Sequence, residues 1–280
     1  MAQIELKLST ERTNYLLYEP ANLTVTVKNI SGTELAFEND TKKNLPWVSF
    51  LINSDDGMPV DADQPLRPPP RLIPDEKESS ITIDLTPYYK IRSTGRYSVK
   101  ALVRLPGKGT FVTQPMFIWI SKGDVLWSQK RFVDGAERTY SLHRFEDRSK
   151  VYLYLRVEEP EQNLVYVTTR LGELNYAESL PPPIFDKDGN LHILHPCTAT
   201  SFVYHIAAPS GQILHKQEFE TTPTIPRLVS SPDMEVHVVG GTDLAVLEKK
   251  PKRAKLSDGQ KFPDVVKDET SSSKSSTPSH

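Results

Sequence analysis

Possible metal ligands crowd one stretch of the chain. His192, His195 and Cys197 follow closely on Asp186, Asp188 and Asn190. Imidazole, thiolate and carboxylate are zinc ligands, and an Asp-x-Asp-Gly turn opens many calcium loops. The spacing argues against both. On an extended strand, residues three apart point to opposite faces, so His192 and His195 diverge. His195 and Cys197 share parity, but Pro196 between them breaks the ladder, and no further ligand is near in sequence. Counting Asp186 as first, the calcium loop needs glycine sixth and glutamate twelfth; Leu191 and Cys197 stand there. A polar hairpin turn explains 186–190 better. His192 and His237 take the place that Tyr152 occupies in a repeat described below, which predicts packing with one hydrogen bond. Cys197 as a nucleophile would need a paired base and an oxyanion site. No Gly-x-Ser-x-Gly elbow and no phosphate-binding glycine loop occurs. Carboxylate neighbours such as Asp55-Asp56 and Glu158-Glu159 read as solvated charge. The sequence thus predicts no catalytic residue, no metal ligand and no cofactor.

The elements that would position these residues are strands. Proline (23) exceeds glycine (13) in the 280 residues, which favours short strands and proline turns over long helices. Lys and Arg number 34 against 36 Asp and Glu, so no large single-sign field exists and duplex nucleic acid is not an expected partner. No stretch approaches the roughly 18–20 apolar residues of a membrane span. One cysteine excludes an internal disulfide framework. Alternating patterns predict strands at 3–9, 22–30, 33–38, 47–53, 79–85, 95–105 and 111–120, separated by turn signals such as Asp55-Asp56-Gly57 and Pro68-Pro69-Pro70. About seven short strands so spaced suggest a two-sheet sandwich. Trp47 and Tyr97 are expected in its core. Asn22 and Asn29 open glycosylation sequons that read as chance matches. Met1 to Leu8 enters a strand without a basic and then apolar leader, which leaves a cytoplasmic chain or a mature end open. Residues 249–280 lack apolar periodicity and are expected to be a disordered tail; the basic run 249–255 is expected to solubilise it, a nuclear signal being the other reading.

The stretch from Tyr18 to Gly32 resembles the opening of bacterial immunoglobulin-like domains, and Gly95 to Ala101 their penultimate strand. The intracellular proteinase-inhibitor type is a partial likeness. It implies an Ig-like β-sandwich over residues 1–120 and, as a subordinate function, protease inhibition through a loop such as 55–70.

Beyond residue 120 the chain repeats. Strand, glycine and strand recur around Gly123, Gly172 and Gly211, 49 and 39 residues apart. A polar turn leading into a short strand recurs at Tyr152, His192 and His237, 40 and 45 residues apart. About 45 residues is the size of a four-stranded propeller blade. Leu191 to Leu194 and Val236 to Val239 are apolar at odd and even places, which predicts sheets covered on both faces. Gly123 to Trp127 and Gly211 to His215 resemble quinoprotein-type propeller repeats, but residues 121–248 hold fewer than the four or more blades that close a ring. No quinone is implied. The expected fold class is all-β: a sandwich over 1–120, propeller-like repeats over 121–248, and the tail. The expected function is non-enzymatic, with a protein partner or self-association through loops or open sheet edges. A carbohydrate-active cleft with two converging carboxylates is a remoter alternative. Resemblance to exported bacterial proteins of this build implies an extracytoplasmic place, periplasmic or secreted.

Overall fold

Alternation of apolar and polar residues, the rule that makes one face of a strand core and the other wet, organises the whole N-terminal half. The computed structural model describes residues 3–175 and 180–248. β1 (Ile4–Ser9), β2 (Asn14–Leu16), β3 (Asn22–Asn29), β4 (Leu35–Phe37), β5 (Val48–Ser54), β6 (Arg71–Ile73), β7 (Glu78–Asp84), β8 (Gly95–Leu105), β9 (Gly109–Val112) and β10 (Met116–Ser121) form two main sheets and a β4–β6 pair. One sheet runs β1-β3-β7. The other runs β2-β10-β8-β5, with β9 on β8. In β3, Leu23, Val25 and Val27 are buried, while Thr24 and Thr26 point out and bond Thr82 and Ser80 across the sheet. A single apolar cluster from Ile4 to Ile120 fills the space between the sheets. Trp47 is buried against Phe37 and donates Nε1–H to the Pro69 carbonyl. Tyr97 is buried and its hydroxyl reaches back to the Ser93 carbonyl at 2.8 Å.

Two strands, β2 and β6, are absent from the sequence expectation; at three residues they are too short to show a period. The single strand expected at 111–120 is two. Pro115 has no N–H to donate, and Thr113 Oγ1 accepts the Ala101 N–H instead, so the chain leaves the ladder between β9 and β10. Asn29 is buried and its side-chain amide donates to the Thr33 and Ile73 carbonyls, so that sequon is closed off in the folded chain.

The second half is two antiparallel sheets and a hairpin. β11 (Asp124–Val133), β12 (Ala136–Asp147), β13 (Lys150–Glu159) and β14 (Leu164–Glu173) form a meander in that order. β15 (Ile184–Phe185), β16 (Leu191–Pro196), β17 (Ser201–Ala207) and β18 (Ile213–Glu220) form the next, and β21 (Thr242–Asp243) extends it. β19 (Arg227–Ser230) and β20 (Val236–Val239) pair separately, and α1 (Leu244–Glu248) ends the described chain. Tyr140, Leu142, Leu153, Leu155 and Val157 pack on Leu191, Ile193 and Ala207, which joins the two sheets. On its far face the second sheet presents Leu194, Phe202, Tyr204 and Phe219 to Leu228 and Val238 of the hairpin. Every residue of β16 is buried, as a sheet covered on both sides requires.

The repeat is only partly the one that the glycines suggest. A turn does precede each of β13, β16 and β20, but these are the third strand of one sheet, the second of the next and half of a separate hairpin. The glycine set does not hold. The strands flanking Gly123 lie in different sheets, β10 in the sandwich and β11 beyond it. Gly172 is no turn; it lies inside β14 beside a bulge, and a Cβ there would meet His195 Cε1 at 3.6 Å. Gly211 alone sits in the expected hairpin. In β20, Val236 is buried but His237 and Val239 are exposed, so that strand is covered on one face only. Pro196 ends β16 rather than interrupting it, pairing with Phe202 and accepting the Asn175 N–H. The expected tail, 249–280, lies outside the described residues.

Gly211 carries a packing constraint. Its φ is +87°, and a Cβ would stand 2.2 Å from Val167 Cγ1 and 2.8 Å from Val157 Cγ2. Gly57 has a similar φ of +82° with nothing within 4 Å. Gly211→Ala is expected to cost about 2 kcal/mol, and Gly57→Ala about 1 kcal/mol from backbone strain alone. Urea midpoints of the two variants check this; equal losses would show that the sheets move apart freely at Val157.

Candidate functional site

The first meander sheet has two unlike faces. Toward the second sheet it is apolar. Toward the sandwich it presents Ser141, His143, Phe145, Tyr152, Tyr154 and Arg156, alternate residues of β12 and β13. Leu16 of β2 enters the aromatic part of this face, against Phe145, Tyr152 and Tyr154. Around it runs a buried polar network. Arg12 pairs with Glu19 and donates to the Tyr154 hydroxyl at 3.0 Å. Glu19 also accepts the Leu16 N–H at 2.9 Å. Arg156 donates to the Leu17 carbonyl at 2.5 Å and to Thr168 Oγ1 at 3.3 Å, and its guanidinium lies 5.3 Å from the centre of the Tyr18 ring. Burial holds the Arg156 guanidinium below its ordinary pKa, partly offset by Glu158. Burial, then the Glu19 charge, pushes the Tyr154 phenol well up.

Where this interface ends, a cleft of about 420 Å³ opens. Tyr18, Pro20, Tyr89 and Ile91 of the sandwich face Val165 and Thr168 of β14 across it. β14 is the last strand of its sheet and pairs only with β13. A second cleft of about 430 Å³ flanks the same strand on the other side, lined by Tyr166, Val167, Thr169, Ser210, Gln212 and Ile213. Tyr166 is the extra residue of a bulge, between the Val157–Val167 and Glu158–Val165 pairs. Its hydroxyl donates to the buried carboxylate of Glu159 at 2.9 Å, and Arg138 lies over its ring at 4.5 Å. The carboxylates of the first cleft are already engaged. Asp84 accepts the Ala21 and Thr86 N–H groups, and Asp63 pairs with Lys90 and Arg92.

The residues singled out from sequence lie elsewhere. His192 makes two hydrogen bonds rather than one: Nδ1 with the Tyr204 hydroxyl at 2.6 Å and Nε2 with Asp186 at 3.1 Å. Asp186 also accepts the Asp188 and Asn190 N–H groups, so this carboxylate closes the β15–β16 turn. Burial pushes the Tyr204 phenol up to about 12, helped by the Asp186 charge. An Asp–His–Tyr chain has the look of a proton relay, but Tyr204 is covered by Phe219 and the β19–β20 hairpin and neither cleft reaches it. His195 points to the opposite face, stacked on His205 at 5.6 Å and 1°. Cys197 is half-buried and its thiol faces the Ser201 carbonyl at 3.4 Å. His237, expected to pack as Tyr152 does, is instead exposed beside Glu235, because no element covers that face of β20. Among the described residues no three His, Cys, Asp or Glu side chains gather as a metal would need. In the 55–70 loop, Asp56 caps the turn through Ser54 Oγ and the Met58 N–H, and Asp55 pairs with Arg96. Met58 is exposed at its tip.

Sequence patterns missed the clefts because each joins residues from distant elements. The one available signal was Leu164 to Thr169, an uncharged run of strand-forming residues without proline. No family model matches the chain, and no curated protein matches it. Among solved structures, a crystal structure of the YadV chaperone aligns with 77% of this chain and 98% of that chain, at 13% identity and a TM-score of 0.24. A superposition that loose carries no argument about function. What the chain shows by itself is an all-β protein of several antiparallel sheets, in which no described helix is long and apolar enough to cross a membrane.

Proposed function

We propose that this is a non-enzymatic binding protein in which an Ig-like sandwich is joined to propeller-like sheets, and that it holds a polypeptide partner in the cleft between the two parts. The carrying observation is the cleft itself: about 420 Å³ of space walled by Tyr18, Tyr89, Pro20 and Ile91, with the open edge of β14 along its other side. Aromatic and proline surfaces bury area at low entropic cost, which suits recognition. The reactive-looking groups support the reading from the other direction. Asp84 and Glu159 are engaged in hydrogen bonds and Asp63 in ion pairs, and the Asp186–His192–Tyr204 chain is closed over.

The test is selection of displayed peptides on the full chain, repeated on a Val165→Trp variant that fills the cleft. Sequences enriched on the parent are expected to lose at least about tenfold in affinity on the variant. A Phe132→Ser variant, altered at an exposed site on β11, is expected to bind as the parent does. Enrichment that Val165→Trp leaves untouched would move the binding surface away from the cleft; no enrichment at all would end the reading.

A further inference from the structure

Backbone chemistry sets the β14 edge apart from those of β1, β5, β11 and β18. An unpaired edge is a template for another strand, and proteins blunt it with charge, proline or a covering loop. β1 carries Glu5 and Lys7, and β11 carries Lys130 and Arg131. The outer side of β5 is covered: Phe50 N–H donates to the Tyr89 hydroxyl and Ile52 O accepts the Val60 N–H. β18 is extended by β21. Leu164 to Thr169 of β14 has none of these devices beyond the bulge at Tyr166.

The two clefts lie on opposite sides of that edge. Side chains of an added strand alternate between faces, so successive residues would enter the 420 Å³ cleft and the 430 Å³ cleft in turn. The clefts differ in character. On the side of the second sheet, Val167 and Ile213 offer a small apolar pocket between Tyr166 and Thr169. On the sandwich side the charged lining is Arg92, Asp63 and Asp84, the two carboxylates already engaged, and beyond Thr169 the same face carries Arg170 and Glu173, the latter paired with Lys150. Arg170 shares its face with Thr168, lies over the Tyr152 ring at 3.4 Å and is exposed.

We infer that β14 accepts an extended segment of a partner protein as an added strand, paired along Leu164 to Thr169, with small apolar side chains on one parity and carboxylates on the other. The inference rests on the proposed binding role and specifies its mode. Main-chain hydrogen bonds would supply affinity and the two clefts specificity.

The probe is the synthetic peptide acetyl-Val-Glu-Val-Glu-Val-Thr-Val-amide, with hydrogen exchange read by residue on the full chain. Binding is expected to slow exchange across 164–170. The same peptide with lysine for glutamate is expected to bind about tenfold more weakly, and the Arg170→Glu variant to reverse that preference. Two N-methylated peptides, one for each parity of amides, separate backbone pairing from side-chain contact: one is expected to lose binding and the other to keep most of it. Binding that leaves β14 exchange unchanged, or that survives both methylation patterns, overturns strand addition while the cleft reading stands. Absence of binding at millimolar peptide also overturns it, and peptide selection on the cleft then decides whether the binding role survives.

Discussion

Lowering the pH from 7 to about 5 is expected to bring this protein to the edge of unfolding. The cause is three buried imidazoles. His143, His195 and His205 are almost fully excluded from water. Burial pulls His195 down to about 3, with His205 adding to it, and His205 to about 4, with Lys216 adding to it. Burial and the Arg156 charge bring His143 to about 4. The carbonyls of Pro196, Leu171 and Lys122 face these rings and favour the proton. Yet no ring nitrogen of His195 or His205, nor His143 Nδ1, reaches a partner in hydrogen-bond geometry, so burial wins. His143 Nε2 does bond Ser141 Oγ at 2.8 Å.

The direction follows from proton counting. Between pH about 6.5 and 4 the unfolded chain binds protons at these histidines and the folded chain does not. Stability is therefore complete above pH about 6.5 and falls as the pH drops. Each histidine contributes at most about 1.4 kcal/mol per pH unit. Three of them remove roughly 6 kcal/mol by pH 5, comparable with the lower end of the usual 5–15 kcal/mol of folding stability. Urea midpoints across this range measure the slope. His205→Leu, which keeps an apolar body against His195, is expected to flatten it by about a third. A midpoint independent of pH between 7 and 5 would mean that these imidazoles reach water or a partner in the folded chain.

Glu19→Ala has the largest effect expected of a single substitution. Glu19 is buried, pairs with Arg12 and accepts the Leu16 N–H. Removing it leaves the largely buried Arg12 guanidinium with only the Tyr154 hydroxyl and the face of Tyr15, and a backbone donor with nothing. Breaking one side of a buried pair costs about 3–5 kcal/mol, and the partial exposure of Arg12 places this case near 3. The damage falls where Leu16 meets Phe145 and Tyr154, so near-ultraviolet circular dichroism is expected to change along with stability. In the double variant Glu19→Ala, Arg12→Met the orphaned charge is gone, and roughly half the loss is expected to return. Glu137→Ala, which breaks the exposed Lys130 pair, is the contrast, with no resolvable change in midpoint. If Glu19→Ala behaves like Glu137→Ala, the sandwich and the first meander sheet are not held together by this network.

Local pattern carried much of the fold. Alternation in Leu23, Val25 and Val27 needs only period two, so the inward face of β3 was legible, and Gly95 to Leu105 likewise. The double-sided run from Leu191 to Leu194 signalled cover on both faces for the same reason: every residue there is apolar or a histidine. Apolar run and cover did not coincide at Val236 to Val239, because cover is supplied by another element and a run cannot report whether that element is present.

What the residues determined alone was the class, all-β with sheets stacked beyond the sandwich, because strand periodicity and turn chemistry act within a few residues. The tertiary structure decided which glycine turns and which faces a neighbour, where His192 and His195 spend their nitrogens, and that β14 ends its sheet between two clefts. Those outcomes depend on contacts such as Arg156 with Leu17 and Gly172 with His195, made between segments far apart along the chain, and spacing along a sequence holds no record of distance in space.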